Sequence, residues 1–188
     1  MSERAVQVGI ARTRAGAVTG PGTAPGLAAA EAGPDVGART EVTETTVFDA
    51  LAEVMDPELP MVSIVELGMV GSVTVGRTIE IALLPTYVGC PAIEMIRSAV
   101  EHRLAAFGRP VEVVSRFEIP WTSDRITPAG LAALATAGIA PPRSPADTRC
   151  PYCASEHVAL DSVFGPTQCR SLFYCRDCRQ PFEAIKPV

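Results

Sequence analysis

The stretch VTVGRTIEIALL, residues 73–84, runs directly into PTYVGCPAIEMIRSAVEHRLAAFG, residues 85–108, and the change of rhythm between them decides the fold class. In the first half, Val73–Val75 and Ile79–Leu84 alternate in polarity around Gly76-Arg77, which predicts a hairpin of two half-buried strands. At Pro91 the period changes from two to 3.6. Ile93, Ile96, Val100, Leu104 and Phe107 then share one face, which predicts a helix from Pro91 to about Phe107, closed by Gly108.

On the C-terminal side, Val111, Val113, Ser115, Phe117 and Ile119 alternate with Glu112, Val114, Arg116 and Glu118, predicting a third strand that ends before Pro120-Trp121. Thr127-Pro128 is a cap and first-turn pair and Gly138 a stop, so a short helix is expected between them. On the N-terminal side, Val47, Phe48, Leu51, Val54 and Met55 recur at helical spacing, with Thr43 or Thr45 as cap and Asp56-Pro57-Glu58-Leu59-Pro60 as terminator. Helix, two strands, helix, strand, helix defines a small α+β sandwich over residues 43–138, with helices on one face of the sheet.

The flanks differ in composition. Residues 1–42 are dominated by Gly, Ala, Pro and Thr, too few large apolar side chains to offset the entropy of ordering, and a disordered extension is expected there. Residues 139–149 contain Pro141, Pro142 and Pro145 and are expected to form a stiff linker. The 188-residue chain carries a formal charge of −5, and residues 43–137 hold six Lys or Arg against twelve Asp or Glu. That balance repels a phosphate backbone and argues against nucleic acid as a partner. The sequence holds no apolar run of eighteen residues and no apolar block after Arg4, Arg12 and Arg14, so neither a membrane span nor a secretory signal is expected, and a cytoplasmic location follows. In that compartment thiols stay reduced, which turns the six cysteines away from disulfides and toward metal or thiol chemistry.

Four of those cysteines form two Cys-x-x-Cys pairs, Cys150/Cys153 and Cys175/Cys178, separated by 21 residues. Two intervening residues let both thiolates of a tight turn reach one ion, and two such turns complete a tetrahedron. A closed four-thiolate site is structural, so a metal is expected to organise residues 150–188 as a ribbon. Zinc is the expected ion; rubredoxin-like iron, which would make the segment an electron carrier, and a redox dithiol share the ligand pattern. Gln168–Cys175 alternates like a strand, and six residues of strand span roughly 20 Å, so Cys169 is expected to lie away from the metal of Cys175 as a buried small residue. The ribbon carries four basic and four acidic residues, which favours a protein surface as its partner.

Cys90 has two readings. With Pro91 as the first helical residue, Cys90 would be the N-cap, its sulfur beside unpaired amides at the positive end of the dipole, where thiolate is favoured. It is equally a small residue that fits between a strand and a helix. A catalytic cysteine needs a base; His102 lies twelve residues along the same helix, about 18 Å away, and His157 lies in the ribbon. Metal handling requires less, since one thiolate with oxygen donors makes an exchangeable site. Asp56, Glu58 and Glu66 are the nearby acidic candidates, with Asp56 also a plausible turn residue and Glu66 a solvated one.

Asp56-Pro-Glu-Leu-Pro60, Glu66-Leu-Gly68, Thr86-Tyr-Val-Gly-Cys-Pro91 and Trp121 resemble the small α+β domain of SufT-like iron–sulfur assembly factors. With the tail Phe164-Gly-Pro-Thr-Gln-Cys-Arg-Ser-Leu-Phe-Tyr-Cys-Arg-Asp-Cys-Arg-Gln-Pro-Phe182 added, the whole resembles the PaaD family, encoded with the phenylacetyl-CoA epoxidase of aerobic phenylacetate degradation. The resemblance implies a non-catalytic accessory subunit that helps mature an iron–sulfur cluster or di-iron site of that oxygenase. It implies partners among the epoxidase subunits and the iron–sulfur assembly machinery, transient iron or a cluster at Cys90, and Asp56 and Glu58 as the acidic motif. One such cysteine per chain does not hold a cluster alone, so a homodimer is expected. An adaptor that docks through its ribbon, with Cys90 only packing, is the competing expectation.

Overall fold

A computed structural model describes residues 41–188. The extension expected over 1–42 therefore falls, except for its last two residues, outside the described residues; Val42 already packs against the core. Helix α1 (Glu44–Leu51) opens with a reciprocal cap in which Thr43 Oγ1 accepts from Thr46 N and Thr46 Oγ1 from Thr43 N, at 3.2 and 3.0 Å. It ends at Leu51, short of the expected Val54 and Met55, because Asp56 starts a separate turn and Met55 bridges Ser63 instead.

Strands β1 (Val70–Val75) and β2 (Ile79–Leu83) form the expected hairpin, closed by a three-residue loop in which Gly76 N donates to Thr78 O. Helix α2 (Ile93–Leu104) crosses over to β3 (Val111–Ser115), which pairs parallel to β2 in register Ile79↔Val111. Alternation places Ile79, Ile81 and Leu83 of β2 and Val113 of β3 inward, against Leu51 of α1 and Ile96, Val100 and Leu104 of α2, all buried. At about 25 cal/mol per Å² this shared apolar layer is the main stabilising term for the first domain. Gly108, at φ +65°, closes the short 3-10 turn Ala105–Phe107 that prolongs α2.

β3 and α2 also differ from their expected bounds. β3 stops at Ser115 rather than Ile119, because Phe117 N donates to the Glu118 carboxylate and not to a neighbouring strand; Phe117 and Ile119 are consequently exposed. Helix α2 begins at Ile93, with Ala92 as its cap, rather than at Pro91. The preceding residues are committed to turns: Cys90 N donates to Tyr87 O and Ile93 N to Cys90 O. Cys90 is therefore two residues outside the cap position.

Helix α3 (Pro128–Thr136) has Thr127 as its cap and leads into β4 (Ile139–Ala140), which pairs parallel with β7 (Pro181–Ile185). The expected linker thus loses its first two residues to a second sheet, of order β4-β7-β6-β5, completed by β5 (Val158–Ser162) and β6 (Arg170–Cys175). Pairing between strands so distant along the chain leaves no local signature. Ile139 and Ile185 of this second sheet belong to the core of the first domain, whereas Phe173 and Phe182, stacked at 5.5 Å, belong to the ribbon's own small core.

Candidate metal sites

The four ribbon cysteines converge. Their sulfurs all lie within 4.8 Å of one another, with Cys150 to Cys178 at 3.5 Å and Cys153 to Cys175 at 3.6 Å. Sulfurs at the corners of a tetrahedron with bonds of about 2.3 Å to a central ion stand about 3.8 Å apart, while a disulfide would bring them to about 2 Å. The two turns are built alike. Cys150 N donates to Ser155 O and Cys175 N to Gln180 O, and the residue after each second cysteine, Ala154 and Arg179, is left-handed at φ 60°. The backbone N–H groups of Cys178 and Asp177 bring the Cys175 thiol down to about 6. Burial and the crowd of like groups push Cys178 up to about 12, since four such donors ionise together only around a cation. The donor set fits a four-thiolate metal ion with no open position. Cys169, in the turn just before β6 and six residues from Cys175, is not part of it, as the length of the strand dictates.

The second cluster lies where the first domain meets the ribbon. Cys90, Asp56 and Glu58 border one cavity of about 20 Å³, together with Trp121 of the first domain and Cys169 and Ile185 of the ribbon. Asp56 is 6% exposed, and its Oδ1 accepts from Glu58 N at 2.8 Å and Leu59 N at 2.9 Å. It is thus the expected turn residue and a wall of the cavity at once. Burial raises the Asp56 carboxyl above its ordinary range, against the opposing pull of those two amides. Burial also raises Glu58, reinforced by the Asp56 charge.

Cys90 departs from the thiolate expected of a helix start. Burial pushes its thiol up, and the Glu58 and Asp56 charges add to that push; the Ala92 N–H opposes them without prevailing. Alkylation of Cys90 followed by peptide mass mapping is expected to inflect at higher pH than a free cysteine. Glu58→Gln should move the inflection down toward the ordinary value, because it removes a negative charge facing the thiol. An unmoved inflection would show that the carboxylate does not act on the sulfur.

Glu66 is half-buried, held by hydrogen bonds, and not part of this cluster. Its Oε2 accepts from Ser63 N and Oγ at 2.8 and 3.1 Å, and its carbonyl accepts from Thr127 N. The turn it staples leads to Gly68, and the Leu67 carbonyl accepts the Trp121 indole N–H at 2.8 Å, so Trp121 is a core residue that also walls the cavity. His102 and His157 are exposed and neither borders the cavity. Sequence reasoning treats Cys169 as a packed residue away from the ribbon metal; its placement beside Cys90 depends on how the ribbon sheet docks, which no local pattern carries.

A thiol and two carboxylates on a small α+β domain, with a four-cysteine ribbon seated against it, define a class: residues 44–114 match the family of iron–sulfur cluster assembly proteins, and residues 137–186 match the PaaD zinc beta ribbon domain. Both matches fall where the fold divides its two sheets. The chain belongs to the PaaD family of phenylacetyl-CoA epoxidase subunits. It is 40% identical over 151 residues to a putative 1,2-phenylacetyl-CoA epoxidase subunit of Escherichia coli K12, covering 76% of this chain and 92% of that one. Among solved structures, a domain of unknown function, DUF59, from Bacillus anthracis is 32% identical with a TM-score of 0.46, covering 48% of this chain and 90% of its own. A conserved hypothetical protein from Thermotoga maritima is 30% identical with a TM-score of 0.43, covering 48% and 92%. Among the described residues no helix is long and apolar enough to cross a membrane.

Proposed function

We propose that this chain is a cytoplasmic accessory factor that matures a metal centre, an iron–sulfur cluster or a di-iron site, of the multicomponent phenylacetyl-CoA epoxidase, without catalysing the oxygenation itself. The observation that supports this most is the cavity shared by Cys90, Asp56 and Glu58. One thiol and two carboxylates offer iron a mixed, incomplete donor set, which holds a cargo ion and still gives it up to a fuller set on a client. With neither histidine bordering the cavity, Cys90 has no imidazole base there to make it a hydrolytic or transferring nucleophile. The ribbon ion is proposed to be zinc, held by Cys150, Cys153, Cys175 and Cys178. Such an ion supplies cross-linking of two turns and no redox step. Epoxidase subunits and the iron–sulfur assembly machinery are the proposed partners, and a homodimer is the proposed form if a whole cluster is carried.

The experiment is to purify the epoxidase complex from cells whose only copy of this chain carries Cys90→Ser, and to measure iron per complex. Iron is expected to fall severalfold with the subunit composition unchanged. Full iron occupancy with Cys90→Ser, combined with loss of the assembled complex on ribbon substitution, would instead make the chain an adaptor. Elemental analysis of the purified chain identifies the ribbon ion, since iron there would mark an electron carrier.

A further inference from the structure

We propose that the ribbon supplies the second sulfur ligand of the cargo site: Cys169 and Cys90, with Asp56, bind one divalent iron ion between the two domains of a single chain. This rests on Cys90 being the metal-handling thiol and extends that reading to a residue of the other domain.

Three observations carry it. Cys169 has a defined position in the turn that leads into β6, opposite the end that carries Cys175. Its carbonyl accepts from Lys186 N at 2.9 Å, its sulfur lies 3.1 Å from Thr167 Oγ1, and Arg170 Nε donates to the same hydroxyl at 2.9 Å. The strand thus acts as a rod with the structural ion at one end and a spare thiol at the other, about 20 Å away. That thiol borders the cavity that Cys90 borders.

The second observation is Asp56. The residue is only 6% exposed, and both amides it caps use Oδ1. Oδ2 accepts no hydrogen bond among the described residues and is not itself a buried atom, which leaves it open as a donor to an ion in the cavity. The Glu58 carboxylate, half-buried at the same wall, is likewise without a hydrogen bond or ion pair among the described residues.

The third is size. A space of about 20 Å³ holds about one water-sized body, since a single probe sphere needs about 10–15 Å³. One ion fits. The donors do not yet converge as the ribbon cysteines do, so closure of the ligands on the ion accompanies binding. Each thiol that binds gives up its proton to solvent, and no electron is transferred. Two sulfurs from one chain also remove the need for a second copy to complete a single-ion site.

The test is anaerobic titration of Co²⁺, as a spectroscopic stand-in for Fe²⁺, into the full-length chain with its ribbon ion in place. Wild type, Cys90→Ser, Cys169→Ser and the double variant are compared by thiolate-to-cobalt charge-transfer absorbance. Ribbon metal content and circular dichroism are checked in each. Wild type is expected to bind one Co²⁺ beyond the ribbon ion, with the absorbance of two thiolates. Each single variant should show about half the absorbance per bound cobalt and at least tenfold weaker binding, and the double variant none. Cys169→Ser with wild-type absorbance and affinity overturns the proposal, as does the absence of any cobalt beyond the ribbon ion in the folded wild type. The outcome is separable from the maturation role. If the iron content of the epoxidase depends on Cys90 while cobalt binding ignores Cys169, the role stands and this inference fails. If cobalt binding needs both sulfurs while complex iron needs neither, the reverse holds.

Discussion

Cys175→Ser, or withdrawal of the ribbon ion by a chelator, is expected to lower the melting temperature of the entire described fold by roughly 10 °C, and not to melt the ribbon alone. The ribbon's own core consists of Ala140, Cys150, Phe173, Cys175, Phe182 and Ala184, so two of its six buried members are metal ligands. Without the ion, little apolar area is left to oppose the entropy of about forty residues. The sheet also gives two residues to the other core: Ile139, 7% exposed, and Ile185, 4% exposed. Withdrawing an isoleucine from such a position costs about 1.5–3 kcal/mol, and a protein of this length loses about 2–4 °C per kcal/mol. Ile185→Ala with the metal retained should reproduce part of the fall. Melting followed by circular dichroism separates the outcomes: two transitions, with the upper one unmoved by metal removal, would show that the α+β domain does not lean on the ribbon.

The same junction explains what can be read from the sequence and what cannot. The hairpin, α2 and the burial of alternate residues on β2 follow from periodicity because each buries one face against one partner, and local pattern records that choice. The ribbon cysteines are legible because a tetrahedral ion fixes ligand spacing more tightly than packing does. Strand ends are not, since β3 stops where a single Glu118 carboxylate captures the Phe117 amide. The electrostatics of Cys90 are hidden as well. Its position near a helix start is visible, but the Glu58 and Asp56 charges that oppose ionisation come from a turn about thirty residues earlier. The strand expected over Gln168–Cys175 starts only at Arg170, leaving Cys169 in the turn before it, and Cys169 is illegible as a neighbour of Cys90 because β4 joins β7 and seats the ribbon through contacts with no sequence period.

Gly68→Ala is expected to destabilise the fold by roughly 3 kcal/mol or more and to loosen the wall of the Cys90 cavity. Gly68 has φ +67°, a left-handed conformation, and a Cβ there would stand 2.3 Å from the Arg125 carbonyl oxygen and 2.5 Å from the Arg125 Cβ. Neither atom is the free end of a flexible chain, so the segment around Arg125 must move. That segment is anchored on this same turn by Trp121 Nε1 to Leu67 O at 2.8 Å, Arg125 Nε to Gly68 O at 3.1 Å, and Thr127 N to Glu66 O at 2.8 Å. The Glu66-Leu67-Gly68 motif therefore positions Trp121 over the cavity and contributes no ligand. Gly108→Ala is the control, because Gly108 has nearly the same φ of +65° but nothing within 4 Å of an added Cβ. It should cost only the left-handed penalty, about 1–2 kcal/mol. The sequence holds a single tryptophan, so a red shift of fluorescence reports Trp121 directly, and it should accompany Gly68→Ala and not Gly108→Ala. Equal destabilisation by the two variants, with Trp121 emission unchanged in both, would mean that the Arg125 backbone yields without cost and that the turn does not set the cavity wall.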